Sequence, residues 1–205
     1  PYEQHKLAAA AVILSPFQPL LFMGEEYGET APFQFFVSHT DPALVEAVRR
    51  GRKKEFARFR WQEEPPDPQD ERTFQGCKLN HELKQDGRHR RLWDYYRRVI
   101  ELRRTEPPLA FPDRERLQIT VLAPGRAVAV SSWSAGREIC TVLHFGADPV
   151  AVTVRLRSGT WHKLLDSADP QWQGPGSALP ERIESCGEVQ LSLAPHSATV
   201  YGTFA

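Results

Sequence analysis

The sequence has no surplus of charge. Its 26 Lys and Arg balance 26 Asp and Glu, for a formal net charge of zero. Chains that work on nucleic acid or an anionic lipid surface carry a basic excess, so this balance argues against both as partners. A long hydrophobic run is also missing: the longest candidate, residues 8–14, falls far short of the ~20 residues that cross a bilayer. Cysteine is scarce, and Cys77, Cys140 and Cys186 are odd in number, widely spaced and without a C-x-x-C. That speaks against a disulfide framework or zinc site and predicts a reducing, cytoplasmic setting. The seven histidines stand singly with no H-x-x-x-H spacing, so no metal site is predicted. The start, Pro1-Tyr2-Glu3-Gln4-His5-Lys6, has neither an initiating Met nor a signal-peptide pattern and is expected to lie inside a longer chain.

What is present fits an ordinary globular protein: 205 residues, 40% hydrophobic and 25% charged, enough for one large or two modest domains. Residues 2–14 are rich in Ala and Leu and read as a helix with a broad apolar face, stopped by Ser15-Pro16. Leu20-Leu21-Phe22-Met23 follows, apolar on both faces, as in a strand of a covered parallel sheet. Gly24-Glu25-Glu26-Tyr27-Gly28 then forms a polar loop, and this rhythm suggests the end of an α/β barrel. Asp41-Pro42 is a helix start with an N-cap and a first-turn proline, after which Leu44, Val45, Val48 and Phe56 form an apolar stripe. Pro65, Pro66 and Pro68 mark an exposed loop. A second long helix is expected over residues 90–104, with Leu92, Tyr96, Val99, Ile100 and Arg103 at three- and four-residue intervals, ending at Pro107-Pro108.

Beyond Phe111 the period changes to two. Seven strands are predicted, at residues 117–122, 127–133, 138–145, 150–156, 161–165, 189–193 and 199–204, joined by short turns into an antiparallel β-sandwich. The expected division is therefore 1–110, the end of a barrel, and 111–205, a C-terminal sandwich.

The segment from Pro19 to Thr30, with Phe22-Met23-Gly24-Glu25-Glu26-Tyr27-Gly28 at its centre, resembles the last barrel strand and following loop of glycoside hydrolase family 13, the α-amylase family. Ala31-Pro32-Phe33-Gln34-Phe35-Phe36, the Asp41-Pro42 helix and Leu92-Trp93-Asp94-Tyr95-Tyr96 look like its trehalohydrolase branch, as does Asp166-Ser167-Ala168-Asp169-Pro170. The resemblance implies a (β/α)8 TIM barrel followed by a β-sandwich. It also implies cleavage of the α-1,4 bond beside the terminal trehalose of maltooligosyltrehalose, with no metal or organic cofactor. A glycogen branching enzyme shares Phe22-Met23-Gly24. A non-catalytic α-glucan-binding module and a purely structural sandwich are further alternatives.

Retaining glycoside hydrolysis needs two carboxyl groups about 5–5.5 Å apart. The resemblance puts these, and a supporting Asp, on earlier barrel strands, so no catalytic residue is expected here and the chain alone should be inactive. Glu25 and Glu26, as neighbours at a strand end, would point to opposite sides. One of them, with Glu26 preferred, could reach into a sugar pocket; otherwise they bond backbone amides or an arginine. Tyr27, Phe33, Phe35 and Phe36 form an aromatic cluster that either packs the loop or offers a platform to sugar C–H faces. The candidate substrate-binding residues are Glu26, Tyr27, Phe33 and Phe35. Asn80-His81-Glu82 imitates the family's Asn-His-Asp signature but follows the barrel strand, so it reads as loop or helix-start chemistry. The basic run Arg49-Arg50-Gly51-Arg52-Lys53-Lys54 reads as a solvated helix face. Trp133 and Trp161 are expected in the sandwich core and Trp172 in an exposed loop. Residues 1–60, lacking the other barrel strands, are expected to be poorly ordered or aggregation-prone when expressed alone, while the sandwich folds.

Overall fold

The computed structural model describes residues 2–58 and 65–204, Arg58 by its backbone. Among the described residues five α-helices precede the sheet: α1 (Tyr2–Ile13), α2 (Pro42–Arg58), α3 (Glu71–Gly76), α4 (Gly87–Thr105) and the short α5 (Pro107–Ala110). Six strands follow: β1 (Leu117–Ala123), β2 (Ala127–Ser134), β3 (Arg137–His144), β4 (Val150–Asp166), β5 (Arg182–Leu193) and β6 (Ser197–Thr203).

The strands make one antiparallel sheet in the order β1-β2-β3-β6-β4-β5. Two of the seven predicted strands merge, because β4 runs unbroken through Arg157-Ser158-Gly159-Thr160. A bulge between Leu156 and Gly159 absorbs these polar residues, and Gly159 takes φ 134° there. Nor do the described residues form two separate sheets. The single sheet curls until β2 and β5, four places apart, share one core: Ala127 and Ala129 join Trp161, Leu191, Leu193 and Tyr201. Trp161 is fully buried and donates its indole N–H to the Arg157 carbonyl at 2.9 Å, which satisfies its polar edge.

The other face of the sheet carries α1, α4 and α5. Ile139, Leu143, Leu165, Ala198 and Val200 pack against Leu7, Ala10 and Ile13 of α1 and against Leu92, Tyr95, Val99 and Leu102 of α4. The three- and four-residue spacing on α4 thus does what was expected of it. α1 is built into this core, with Leu7, Ala9, Ala10 and Ile13 all buried. Lys6, fully buried, fastens it: Nζ donates to the carbonyls of Ser167 at 2.5 Å and Trp172 at 3.2 Å and pairs with Glu3 at 3.0 Å. Arg103 closes the far end of α1 by donating to the carbonyls of Ile13, Ser15 and Phe17 at 2.7, 2.5 and 2.9 Å. The Ile13 carbonyl is one that the helix end leaves without an intrahelical partner.

Residues 20–23 are not a strand here. They run without ladder partners, and the described residues contain no parallel strand to pair with them. A strand is made by its neighbours, and a parallel one needs another chain segment brought alongside by a crossover. Leu20 is accordingly 78% exposed, and Leu21 and Phe22 are exposed with it. α2 begins as predicted, with the Asp41 carboxylate accepting from the Ala43 amide at 2.8 Å, but its apolar stripe stays only half covered. No helix among the described residues is long and apolar enough to cross a membrane.

Candidate functional site: the turn after residues 20–23

Glu25–Tyr27 form one turn of 3-10 helix bracketed by left-handed residues, Gly24 at φ 75° and Gly28 at φ 69°. Gly24 is required twice over. L side chains seldom adopt its φ, and a Cβ there would stand 2.6 Å from the Tyr27 hydroxyl. The premise that Glu25 and Glu26 end a strand is thereby replaced, although the two side chains still diverge.

Glu25 turns toward the helices, where Oε1 accepts from the Tyr96 hydroxyl at 3.3 Å. His5 lies edge-on to Tyr96 on the same side; burial lowers its pKa, and the Glu25 charge opposes that. Burial also raises the Tyr96 hydroxyl above the usual phenol range, with the Glu25 charge acting the same way. Glu26 instead borders a cleft of about 340 Å³ shared with Leu21, Phe22, Trp93, Tyr96, Arg97 and Ile100.

Tyr27, only 1% exposed, is the pillar of the loop and not a free platform. Its hydroxyl donates to Glu29 Oε2 at 3.0 Å and lies 3.4 Å from His81 Nδ1, while its carbonyl meets His89 Nδ1 at 2.8 Å. Burial, then its bond to Glu29, pushes the hydroxyl up to about 12. Glu29 is the residue sequence reasoning missed. Its carboxylate accepts from the amides of Thr30 and Ala31 at 2.7 and 2.9 Å and, across 51 residues, from Asn80 at 2.6 Å. Burial pushes the Glu29 carboxyl up, but hydrogen bonds from Ala31, Asn80, Thr30 and Tyr27 outweigh it and hold the group below the usual range. Asn80-His81-Glu82 is therefore the support of this loop. Asn80 also caps the short turn at His81–Gln85 by accepting from the Glu82 amide at 3.1 Å, the helix-start chemistry expected of it.

The remaining aromatics stay at the surface. Phe33 is 72% exposed and meets Phe22 edge-on at 5.0 Å, Phe36 leans on Phe74 at 5.1 Å, and the Arg52 guanidinium covers Phe35 at 5.1 Å. Of the four, only Tyr27 is core. Arg49 binds Asp67 through two nitrogens at 3.0 and 2.7 Å and Glu46 at 2.6 Å, which accounts for the start of the basic run as paired helix surface. The roles expected of two tryptophans are exchanged. Trp172 is partly buried and edge-on to Tyr95 at 5.5 Å, whereas Trp133 is 40% exposed at the end of β2. Among the described residues, no group of three His, Cys, Asp or Glu side chains could hold a metal ion.

No family model matches the chain. Curated relatives do. A malto-oligosyltrehalose trehalohydrolase of Rhizobium sp. is 49% identical over 204 residues, 98% of this chain and 30% of that protein. The enzyme of that name from Mycobacterium tuberculosis is 40% identical over 152 residues, 74% of this chain and 26% of its own length. Among solved structures, a Salmonella typhimurium protein assigned as an alpha amylase superposes with a TM-score of 0.71 at 33% identity, covering 98% of this chain and 31% of that one. The alpha-amylase of H. orenii follows the same fold, with a TM-score of 0.58 at 17% identity over 100% of this chain and 36% of its own. By sequence the chain is a relative of the malto-oligosyltrehalose trehalohydrolases, and it spans about 30% of the length of the Rhizobium relative.

Proposed function

We propose that the chain supplies part of a glycoside hydrolase that cleaves the α-1,4 bond beside the terminal trehalose unit of maltooligosyltrehalose and releases trehalose. The observation that carries this reading is the 49% identity to the Rhizobium trehalohydrolase over 204 residues. In it, residues 1–110 belong to a (β/α)8 barrel and 111–205 to a C-terminal β domain, and the protein acts in the cytoplasm. The bare, apolar residues 20–22 suit a final barrel strand whose neighbours come from other parts of the protein. The turn that follows would then stand at the C-terminal end of a barrel strand, where such enzymes build their sites.

In this arrangement Glu26 and Phe33 face the sugar, Phe35 forms the rim, and Tyr27 acts through Glu29 to hold the loop. Glu25 faces Tyr96 and Glu26 faces the cleft, so the two do not flank one bond. The nucleophile and proton donor therefore come from carboxylates outside this chain, and the reaction needs only those two groups and water. The test is to give maltooligosyltrehalose to a protein that carries this chain together with the remainder seen in its relatives, and separately to the chain alone. Free trehalose is expected from the first and none from the second. New α-1,6 branches in place of trehalose, or trehalose from the chain alone, would overturn the reading.

A further inference from the structure

A second cleft lies on the β domain and shares no residue with the one beside Glu26. Ser134, Ala135 and Gly136 turn the chain from β2 to β3, and Trp133 stands just before the turn, opposite Glu138 in the strand register. On a pleated strand Trp133 shares its face with Ala127 and Ala129, whose side chains are buried in the curl. Trp133 thus sits where that core opens to water. Arg116, Arg137, Glu138 and Arg157 complete a cleft of about 300 Å³.

The charges of the cleft are already matched. Arg157 Nε lies 3.3 Å from Glu138 Oε2, and Arg116 Nε lies 3.5 Å from Asp113 Oδ2. Arg137 grips both carboxylate oxygens of Glu106 and donates to the Thr203 carbonyl at 2.6 Å. Each of the three guanidiniums has its carboxylate, so an anion would have to displace one. A neutral ligand would not. An exposed indole beside paired donors and acceptors fits a pyranose: its C–H face lies on the ring and its hydroxyls bridge guanidinium and carboxylate. Burial raises the Glu138 carboxyl while Arg157 opposes it, as for an acceptor short of water.

We propose that the Trp133 cleft is a non-catalytic saccharide site that takes a short run of α-linked glucose units. That the sugar is neutral follows from the matched charges; that it is glucose rests on the function proposed above. The test is calorimetric titration of the chain with maltotetraose. Trp133→Ala is expected to weaken binding at least about tenfold, as stacking loss plus exposed area implies. Equimolar sodium sulfate should not displace the sugar. No binding by the unaltered chain, equal affinity in Trp133→Ala, or displacement by sulfate would each overturn the proposal. Should Trp133→Ala melt early, Arg157→Gln carries the test from an exposed side chain, with at least threefold weakening expected and none refuting. Trehalose release by the longer protein is read separately, so either idea can fail while the other stands.

Discussion

Replacing Glu29 by Gln probes the loop at its most heavily bonded point. The carboxylate accepts four hydrogen bonds, from the amides of Thr30, Ala31 and Asn80 and from the Tyr27 hydroxyl. An amide in its place keeps the shape but turns a donor toward one pair of those donors and removes the charge from the rest. A hydrogen bond to a charged group is worth about 1.5–3 kcal/mol when buried. Thr30 and Asn80 are exposed, so water recovers part of the loss. Discounted for that screening, the whole change should cost about 2 kcal/mol. For a chain of this size that lowers the melting temperature by roughly 4–8 °C. The pH dependence has a definite sign. The folded carboxyl sits below its unfolded value of about 4.3, so its contribution is fully present above that pH and fades as pH falls through the depressed folded value. Scanning calorimetry should show Glu29→Gln melting well below the unaltered chain at pH 7, with the gap narrowing as pH falls below about 4.3. Equal melting at pH 7, or a gap that does not narrow below that pH, would refute the assigned role.

Gly24→Ala should destabilise more than Gly28→Ala in the same assay. Both impose a left-handed φ costing about 1–2 kcal/mol, but the first also drives a Cβ to 2.6 Å from the Tyr27 hydroxyl, against 3.2 Å from a Leu92 methyl in the second. Lys6→Ala should cost about 3–5 kcal/mol in urea unfolding, because two carbonyls and Glu3 lose a buried partner. Burial lowers the Lys6 pKa, so its folded form binds a proton less tightly than its unfolded form. The stability of the unaltered chain relative to Lys6→Met should therefore rise as pH climbs toward about 10.4.

Elements fixed by local chemistry were legible in the sequence: α1 from its Ala-rich run, α2 from the Asp41-Pro42 start, and α4 from its apolar spacing. α3 was not, because it is six residues long and lies close behind a proline cluster, with only Asp70 as its cap. The merging of two strands into β4 escaped notice since a polar tetrapeptide reads as a turn unless a bulge carries it through. Trp133 and Trp172 were exchanged for a related reason. Alternation tells which face a residue takes but not where the curl opens, and the loop holding Trp172 is drawn inward by Lys6 from 166 residues away. Glu29 had no local mark, for its key partner is an amide at Asn80. Leu20-Leu21-Phe22 was readable as strand-like by composition, yet hydrogen-bond partners, not composition, make a strand.

Amide hydrogen exchange at residues 20–23 asks most directly whether that segment is a barrel strand in want of neighbours. Measured in the chain alone and again in a protein that joins it to the remainder seen in its relatives, these amides should exchange freely in the first and become strongly protected in the second. Strong protection in the chain alone, or none in the longer protein, would contradict the account.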